Sequence, residues 1–410
     1  MKLRTVLLGL AMSGLMACGD DLGPLPEPDD GGDTGEDDGV FERVDPCVDQ
    51  ASGTACSWLG TPGSDGFTPD GADRFDMKVY WTMDMLFASD GTVWFDDWNN
   101  HLVRRVMPDG KVVSMVGWTD PIFPGDGVVG NPAAERSEEG ALGLDVQLNH
   151  PTDLVELPTG EVLIMAWHNH KLRTVNPDTG MVKIVCGAGA GFLGDGGPAS
   201  DALFKQPSAL ALDEEGNLYI GDQQNFRVRK IDAEGNISSI VGDGVQGYGG
   251  DGGPALEASL NWEAGSNPEP SGSLAVGGGK LYIADTLNHR IRVVDLESGT
   301  IETLAGTGEP GLSGDDGPAI EATLNEPRGL DFGPDGDLYI ADTDNHVIRA
   351  IDLESGVIRR VAGTGELGIS EEQLPALESK LRRPFNVEFD PDGNMFILDS
   401  LNSRIVKVAR

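Results

Sequence analysis

Positive charge is scarce in this chain. Only 29 Lys and Arg stand against 68 Asp and Glu, a formal net charge of −39 over 410 residues. Gripping nucleic-acid phosphates takes clustered Lys and Arg, so the balance argues against that partner, and against adhesion to anionic lipid by charge. Acidic surfaces otherwise serve mainly to keep a protein soluble. Cysteine is sparse too, four in all, and no Cys/His spacing resembles a structural zinc site. No Gly-x-Ser-x-Gly elbow and no Walker sequence occurs, which leaves nucleophilic and phosphoryl chemistry unsupported. Aromatic residues are only 6% of the chain. What is abundant is glycine, 58 residues, as suits a turn-rich all-β protein.

The first residues stand apart from the rest. Lys2 and Arg4 precede an apolar stretch, Thr5–Met16, that is too short to span a bilayer. It ends in Leu15-Met-Ala-Cys18, which resembles the lipobox of bacterial lipoproteins. The resemblance implies that residues 1–18 are a lipoprotein signal peptide and that Cys18 is acylated. The protein would then be anchored in a bacterial cell envelope, at the outer membrane, on its periplasmic or surface face. The alternative is an ordinary secretory signal with an incidental cysteine. Residues 19–45 hold eleven Asp and Glu against one Arg, Arg43, and read as an extended, self-repelling acidic tether. Cys47 and Cys56 open residues 46–410 and are spaced to close a small disulfide loop in an oxidising compartment. Cys186 replaces the alanine of other repeats, which predicts a buried free thiol.

Residues 46–410 are repetitive. Gly336–Gly365 contains three short β-branched runs separated by Gly/Asp/Asn turns, with Arg328-Gly-Leu-Asp-Phe332 as a fourth run before it. Four antiparallel strands in about 40 residues, repeated along a chain, make a propeller blade. The landmark is an Asp ending one strand and an Asn three residues later, usually followed by His. It occurs at Asp97/Asn100/His101, Asp222/Asn225/Phe226, Asp285/Asn288/His289, Asp342/Asn345/His346 and Asp399/Asn402/Ser403. A sixth copy, Ala166/Asn169/His170, lacks the Asp. Short Asp and Asn side chains bond nearby backbone N–H groups and fix such corners. Six copies imply six blades, strands a to d running outwards in each.

Six turns join strands a and b, but only five join c and d, because the chain stops at strand c of the last blade. Thr54-Ala-Cys-Ser-Trp-Leu-Gly-Thr61 aligns with Thr300–Thr307, the strand d of another blade. The N-terminal segment is therefore expected to complete blade six and remove the open sheet edges. The same alignment puts Cys56 at the outward Glu302 position, within reach of Cys47.

The pattern Asp-x-x-Asn-His-x-Ile-Arg, with Leu-Tyr-Ile-Ala-Asp before it and Leu-Ala-Gly-Thr-Gly after it, resembles NHL-repeat proteins across about residues 50–410. It departs from the pattern at Ala166, Phe226, Ser403, Leu102 and Lys171. The resemblance implies a six-bladed β-propeller. Its known relatives include RNA- or protein-binding modules, extracellular sensor domains and a few metal-dependent lyases, so fold alone leaves function open.

The d–a connections carry Gly-Asp-Gly-Gly-Pro-Ala (Gly194–Ala199, Gly250–Ala255) and Gly-Asp-Asp-Gly-Pro-Ala (Gly314–Ala319). Asp/Gly loops offer oxygens of the kind Ca²⁺ takes, but one Asp per loop favours structural turns. Just before strand a, one position varies through Trp81, His150, Gln206, Trp262, Glu326 and Arg383. With corner residues Trp98 and Trp167, and Trp118 and Phe123 on the longest connection, these predict an aromatic rim around the channel mouth. Trp81, Trp98, Trp167, Trp262 and Arg383 are the candidate binding residues; the alternative is that the aromatics fold down as plugs. His150 and His168 break the corner pattern and make half of a transition-metal site, needing further ligands such as Asp84 or Glu326. The expectation is a monomeric, non-catalytic binding propeller for a protein, peptide or glycan, needing no cofactor. The competing reading is a metal-dependent lyase or lactonase acting in the channel.

Overall fold

A computed structural model describes residues 44–118, 132–266 and 268–410. The expected signal peptide with Cys18, the expected tether through residue 43, and Phe123 lie outside the described residues. Val44–Arg410 forms one compact unit.

Among the described residues six antiparallel sheets surround a channel. Blade 3 is typical, with Pro207–Leu212, Leu218–Asp222, Arg227–Ile231 and Asn236–Val241 as strands a to d. Blade 6 consists of Asn386–Phe389, Met395–Asp399 and Arg404–Val408. Its strand d is Thr54–Leu59, antiparallel to the chain's last strand with Ala55 opposite Val408, Cys56 opposite Lys407 and Leu59 opposite Ile405. The first strand thus closes the ring as the missing c–d turn requires.

The strands form because apolar residues alternate toward the two neighbouring blades. Six apolar clusters result, one in each seam. Leu59 is fully buried in the seam between blades 6 and 1, beside Phe396 and Met85. Burying such a leucine contributes about 2 kcal/mol, so the closing strand is held by packing as well as by its ladder. Cys47 and Cys56 form a disulfide with Cα atoms 5.5 Å apart. Cys56 does not face open solvent as its alignment with Glu302 suggested. It is buried, because the disulfide folds the preceding loop over it. Cys186 is a buried free thiol.

The Gly-Pro pairs of the connections become short outer strands on strand d, as Gly197 opposite Ile237 and Gly253 opposite Ile301. Proline is tolerated there because the outer edge needs no N–H from it.

Candidate functional site

One end of the channel is built by the corners between strands b and c. In blade 4, one oxygen of Asp285 accepts the N–H of Asn261 at 2.8 Å, and the other accepts Asn288 Nδ2 at 2.8 Å. Asn288 Nδ2 also donates to the Gly247 carbonyl at 2.9 Å, tying the d–a loop to the corner. Asn100, Asn225, Asn345 and Asn402 grip Gly66, Gly191, Gly311 and Gly368 in the same way.

Behind each corner lies a buried arginine from strand c. Arg292 bonds Asp285 at 3.2 Å and the loop residue Asp251 at 2.6 Å. Arg229 pairs with Asp195, and Arg349 with Asp315, both at 2.7 Å. The Asp of each Gly-Asp loop is therefore a partner for arginine, a structural use in line with one Asp per loop. Blade 2 lacks the corner Asp, and there Glu135, from the short helix Pro132–Glu135, meets Arg173 Nε at 2.5 Å. Asn169 Oδ1 takes over the rest, accepting the Asn149 N–H and an Arg173 Nη1 hydrogen.

The corner histidines join one blade to the next. His101, His170, His289 and His346 sit at φ of 52–57°, a left-handed conformation that costs most residues energy. Each Nδ1 accepts a backbone N–H from the following blade, of His150, Gln206, Glu326 and Arg383 respectively. Accepting there requires an unprotonated Nδ1. Burial, the largest cause, pushes His101 and His170 down to about 4 and lowers His289 and His346.

The mouth itself is divided. On one side Trp81 stacks on Trp98 with centroids 5.6 Å apart, and Trp98 lies 5.9 Å from Trp167. Met83 and Phe385 complete this cluster. Trp98 and Trp167 are only 5% and 0% exposed, so they plug the channel rather than stand up from the rim, and only Trp81 is half-buried. Trp262 is elsewhere. It is fully buried between blades 3 and 4, its Nε1 donating to the Ala284 carbonyl at 2.9 Å. The physical reason is local: its five counterparts adopt φ of 48–62° while Trp262 does not. Phe226 replaces the histidine that would receive its N–H, and an insertion, Glu263–Ser271, follows in place of the usual proline.

That insertion reaches the other side of the mouth. Glu269 receives two bonds from Arg383, at 2.9 and 2.8 Å, and one ion pair from Arg328 at 2.9 Å. Arg383 Nε also bonds Asp344 at 2.6 Å. Burial opposes ionisation of Glu269, but Arg328 and Arg383 hold its carboxyl below the usual value. Arg383, expected as a binding residue, is thus engaged within the protein. Below the mouth is a cavity of about 40 Å³ with a mixed lining that includes Thr152, Ser208, Asn386, Met83, Pro270 and Phe385.

His150 and His168 do come together, Nδ1 to Nδ1 at 2.9 Å. His150 Nε2 meets Asn99 Oδ1 at 3.1 Å. The metal reading needed more ligands, and Asp84 and Glu326 are not brought to them: Asp84 bonds Leu154 and Asn386, and Glu326 bonds Arg328. Among the described residues no group of three or more His, Cys, Asp or Glu stands in a metal-holding arrangement. In that contact one Nδ1 donates its hydrogen and the other accepts it, so each is committed to the other ring.

Sequence reasoning missed a different feature. The residue after each gripped glycine is apolar in all five described loops: Phe67, Phe192, Tyr248, Leu312 and Ile369. These are 37–47% exposed. The aromatic members lie over the arginines, Tyr248 at 3.9 Å from Arg290 and Phe192 at 4.7 Å from Arg227. The available signal was an apolar residue at one register position in loops otherwise made of Gly, Ser and Asp.

A family model described as NHL repeat matches residues 324–350. The chain is 29% identical over 294 residues to NHL repeat-containing protein 2 of Homo sapiens, covering 65% of this chain and 38% of that one. It spans about a third of the length of the curated relatives first matched. Among solved structures, a protein of unknown function from Bacteroides thetaiotaomicron superposes with a TM-score of 0.62 at 20% identity, covering 88% of this chain and 76% of that one. An auxiliary nutrient binding protein from Bacteroides ovatus superposes with a TM-score of 0.60 at 16% identity, covering 87% and 76%.

Proposed function

The chain is an NHL-repeat β-propeller, and on that premise we propose that it is a non-catalytic recognition protein, tethered to a bacterial envelope membrane and acting outside the cytoplasm. The observation that carries this is the ring of exposed apolar side chains at Phe67, Phe192, Tyr248, Leu312 and Ile369. Five repeats keep an apolar residue in solvent at one place, on loops at the mouth end of the channel. Apolar surface so distributed suits a partner. Exposed Asp243, Glu309 and Glu366 stand in the same loops, so the surface favours a protein or peptide offering apolar and cationic side chains, ahead of a glycan. The fold neighbour described as an auxiliary nutrient binding protein supplies a precedent for binding on this fold. The tether reading rests on residues 1–45 and on Cys18.

The test is capture from envelope extract by the full-length chain, compared with Phe192→Lys combined with Leu312→Lys. Capture should fall at least tenfold while the unfolding midpoint stays unchanged. Equal capture by both proteins would refute recognition through this ring.

A further inference from the structure

One carboxylate at the mouth is held differently from the rest. Both oxygens of Glu269 accept from Arg383, Nη1 at 2.9 Å and Nη2 at 2.8 Å, and Arg328 Nη2 reaches one of them at 2.9 Å. Three guanidinium nitrogens thus converge on a single carboxyl group, in the forked geometry by which arginine recognises carboxylates. The two guanidinium groups lie over the Phe385 ring, 5.1 and 5.6 Å from its centroid. Asp344 holds Arg383 through Nε, while Glu326 and the Pro270 carbonyl hold Arg328 through its two Nη atoms. The cradle is therefore oriented without help from the Glu269 side chain.

Glu269 is not part of the repeat. The corner arginines Arg104, Arg229, Arg292 and Arg349 are paired with aspartates of their own blades, and in those pairs both side chains are wholly buried. Arg328 instead stands where other blades place Met83, Thr152, Ser208 and Phe385, and its partner arrives on the insertion of blade 4. The Arg328 side chain is 2% exposed and that of Glu269 33%, so solvent reaches the carboxylate side of the contact. The insertion has other moorings. Gln223 Nε2 donates to the carbonyls of Glu263 and Glu269 at 3.0 and 2.9 Å, and Ser208 Oγ to that of Ser271 at 2.6 Å. Rotation of the Glu269 side chain alone therefore vacates the cradle. Arg328 also keeps a donor in reserve: its Nε is buried with no bonding partner among the described residues, and the residue lines the cavity beneath the mouth. A buried donor so placed marks a position for a ligand or a water.

We propose that Arg328 and Arg383 form a carboxylate-binding site, that Glu269 occupies it as an internal stand-in, and that its ligand is a zwitterion of the α-amino acid class. The ligand's carboxylate takes the place of Glu269, and its ammonium group meets the acids that rim the cradle. Glu326 and Glu263 stand 2.9 and 3.7 Å from Arg328 Nη2, and both are partly exposed. With Asp344 they set three carboxylates against two guanidinium charges once Glu269 has swung away. A bare anion then meets net negative charge, whereas a zwitterion brings its own compensation. The stand-in also sets the affinity, since a cradle that is free about one-tenth of the time binds its ligand about ten times more weakly. The site uses none of the residues of the apolar ring, so either can fail without the other.

The test is calorimetric titration of the full-length chain with glycine, the smallest such zwitterion, alongside acetate and methylamine. Wild type should bind glycine weakly, and Glu269→Ala should bind it about tenfold more tightly or better. Acetate should bind Glu269→Ala more weakly than glycine does, and methylamine more weakly still. Adding Arg383→Gln to Glu269→Ala should abolish the gain. Glu269→Gln, which keeps the shape of the side chain, should show a smaller gain, and it is made so that failure of one variant to fold leaves the other to decide. No gain for glycine in the variants that fold would overturn the proposal, as would a gain that survives Arg383→Gln. Acetate or methylamine binding as tightly as glycine would overturn the zwitterion assignment, because a single charge would then suffice.

Discussion

Removing Glu135 tests the arginine clamp where blade 2 departs from the repeat. Arg173 is 1% exposed at its side chain and Glu135 0%, with 2.5 Å between them. Breaking a buried ion pair by deleting one partner costs about 3–5 kcal/mol, because the remaining charge is left uncompensated. At about 2 °C per kcal/mol for a chain of this size, Glu135→Ala should lower the thermal midpoint by roughly 6–10 °C. The repeat also dictates the cure. Ala166 has φ −100° and ψ 86°, close to the −115° and 78° of Asp97 at the same corner. Its backbone therefore accepts an aspartate, and Glu135→Ala with Ala166→Asp should return Arg173 to the arrangement of the other blades. The double variant should come within about 1 kcal/mol of wild type by guanidinium unfolding. Ala166→Asp alone adds a second buried carboxylate beside the pair and should destabilise. A Glu135→Ala protein within about 1 kcal/mol of wild type, or a double variant no better than the single, would refute the reasoning.

Two further outcomes follow from the mouth. His101 must be unprotonated to receive the His150 N–H, and its folded value near 4 lies below the unfolded 6.5. The stability it carries is complete above pH 6.5 and is lost as pH falls toward 4, so His101→Ala should lower stability near neutrality and flatten the acid limb by up to roughly 3 kcal/mol. An unchanged acid limb in a denaturant series from pH 7 to 4.5 would contradict this. Trp262→Ala should cost about 3–5 kcal/mol, as large core truncations do, yet leave partner capture at wild-type level once the protein is folded. Loss of capture in a folded Trp262 variant would return that residue to the binding face.

The corners were legible because one geometry recurs: Asp285, Asn288 and Arg292 do the same work as Asp342, Asn345 and Arg349. Ring closure was legible by counting turns, since a missing strand must come from somewhere. The fate of the tryptophans was not. Whether Trp262 points to the channel or into a seam depends on a backbone angle set by the insertion behind it and by Phe226 in the blade before. Nor was the replacement of the missing Asp at Ala166, because Glu135 comes from a long connection outside the repeat. Asp84, Asp153 and Asn386 stand where other blades place the small residues Ala209, Ser273 and Gly329. Only the fold shows that Asn386 bonds Asp84.

The union of Thr54–Leu59 with Arg404–Val408 also fixes the order of assembly. Thr54–Leu59 is synthesised about 350 residues before the strand it pairs with, so the circle cannot be finished until Arg404–Val408 has been made. Until then Leu59 has only half of its apolar surroundings and an edge of backbone remains available to strangers. Contacts so distant along the chain form slowly, and the interval before closure is when this protein is most exposed to aggregation and proteolysis.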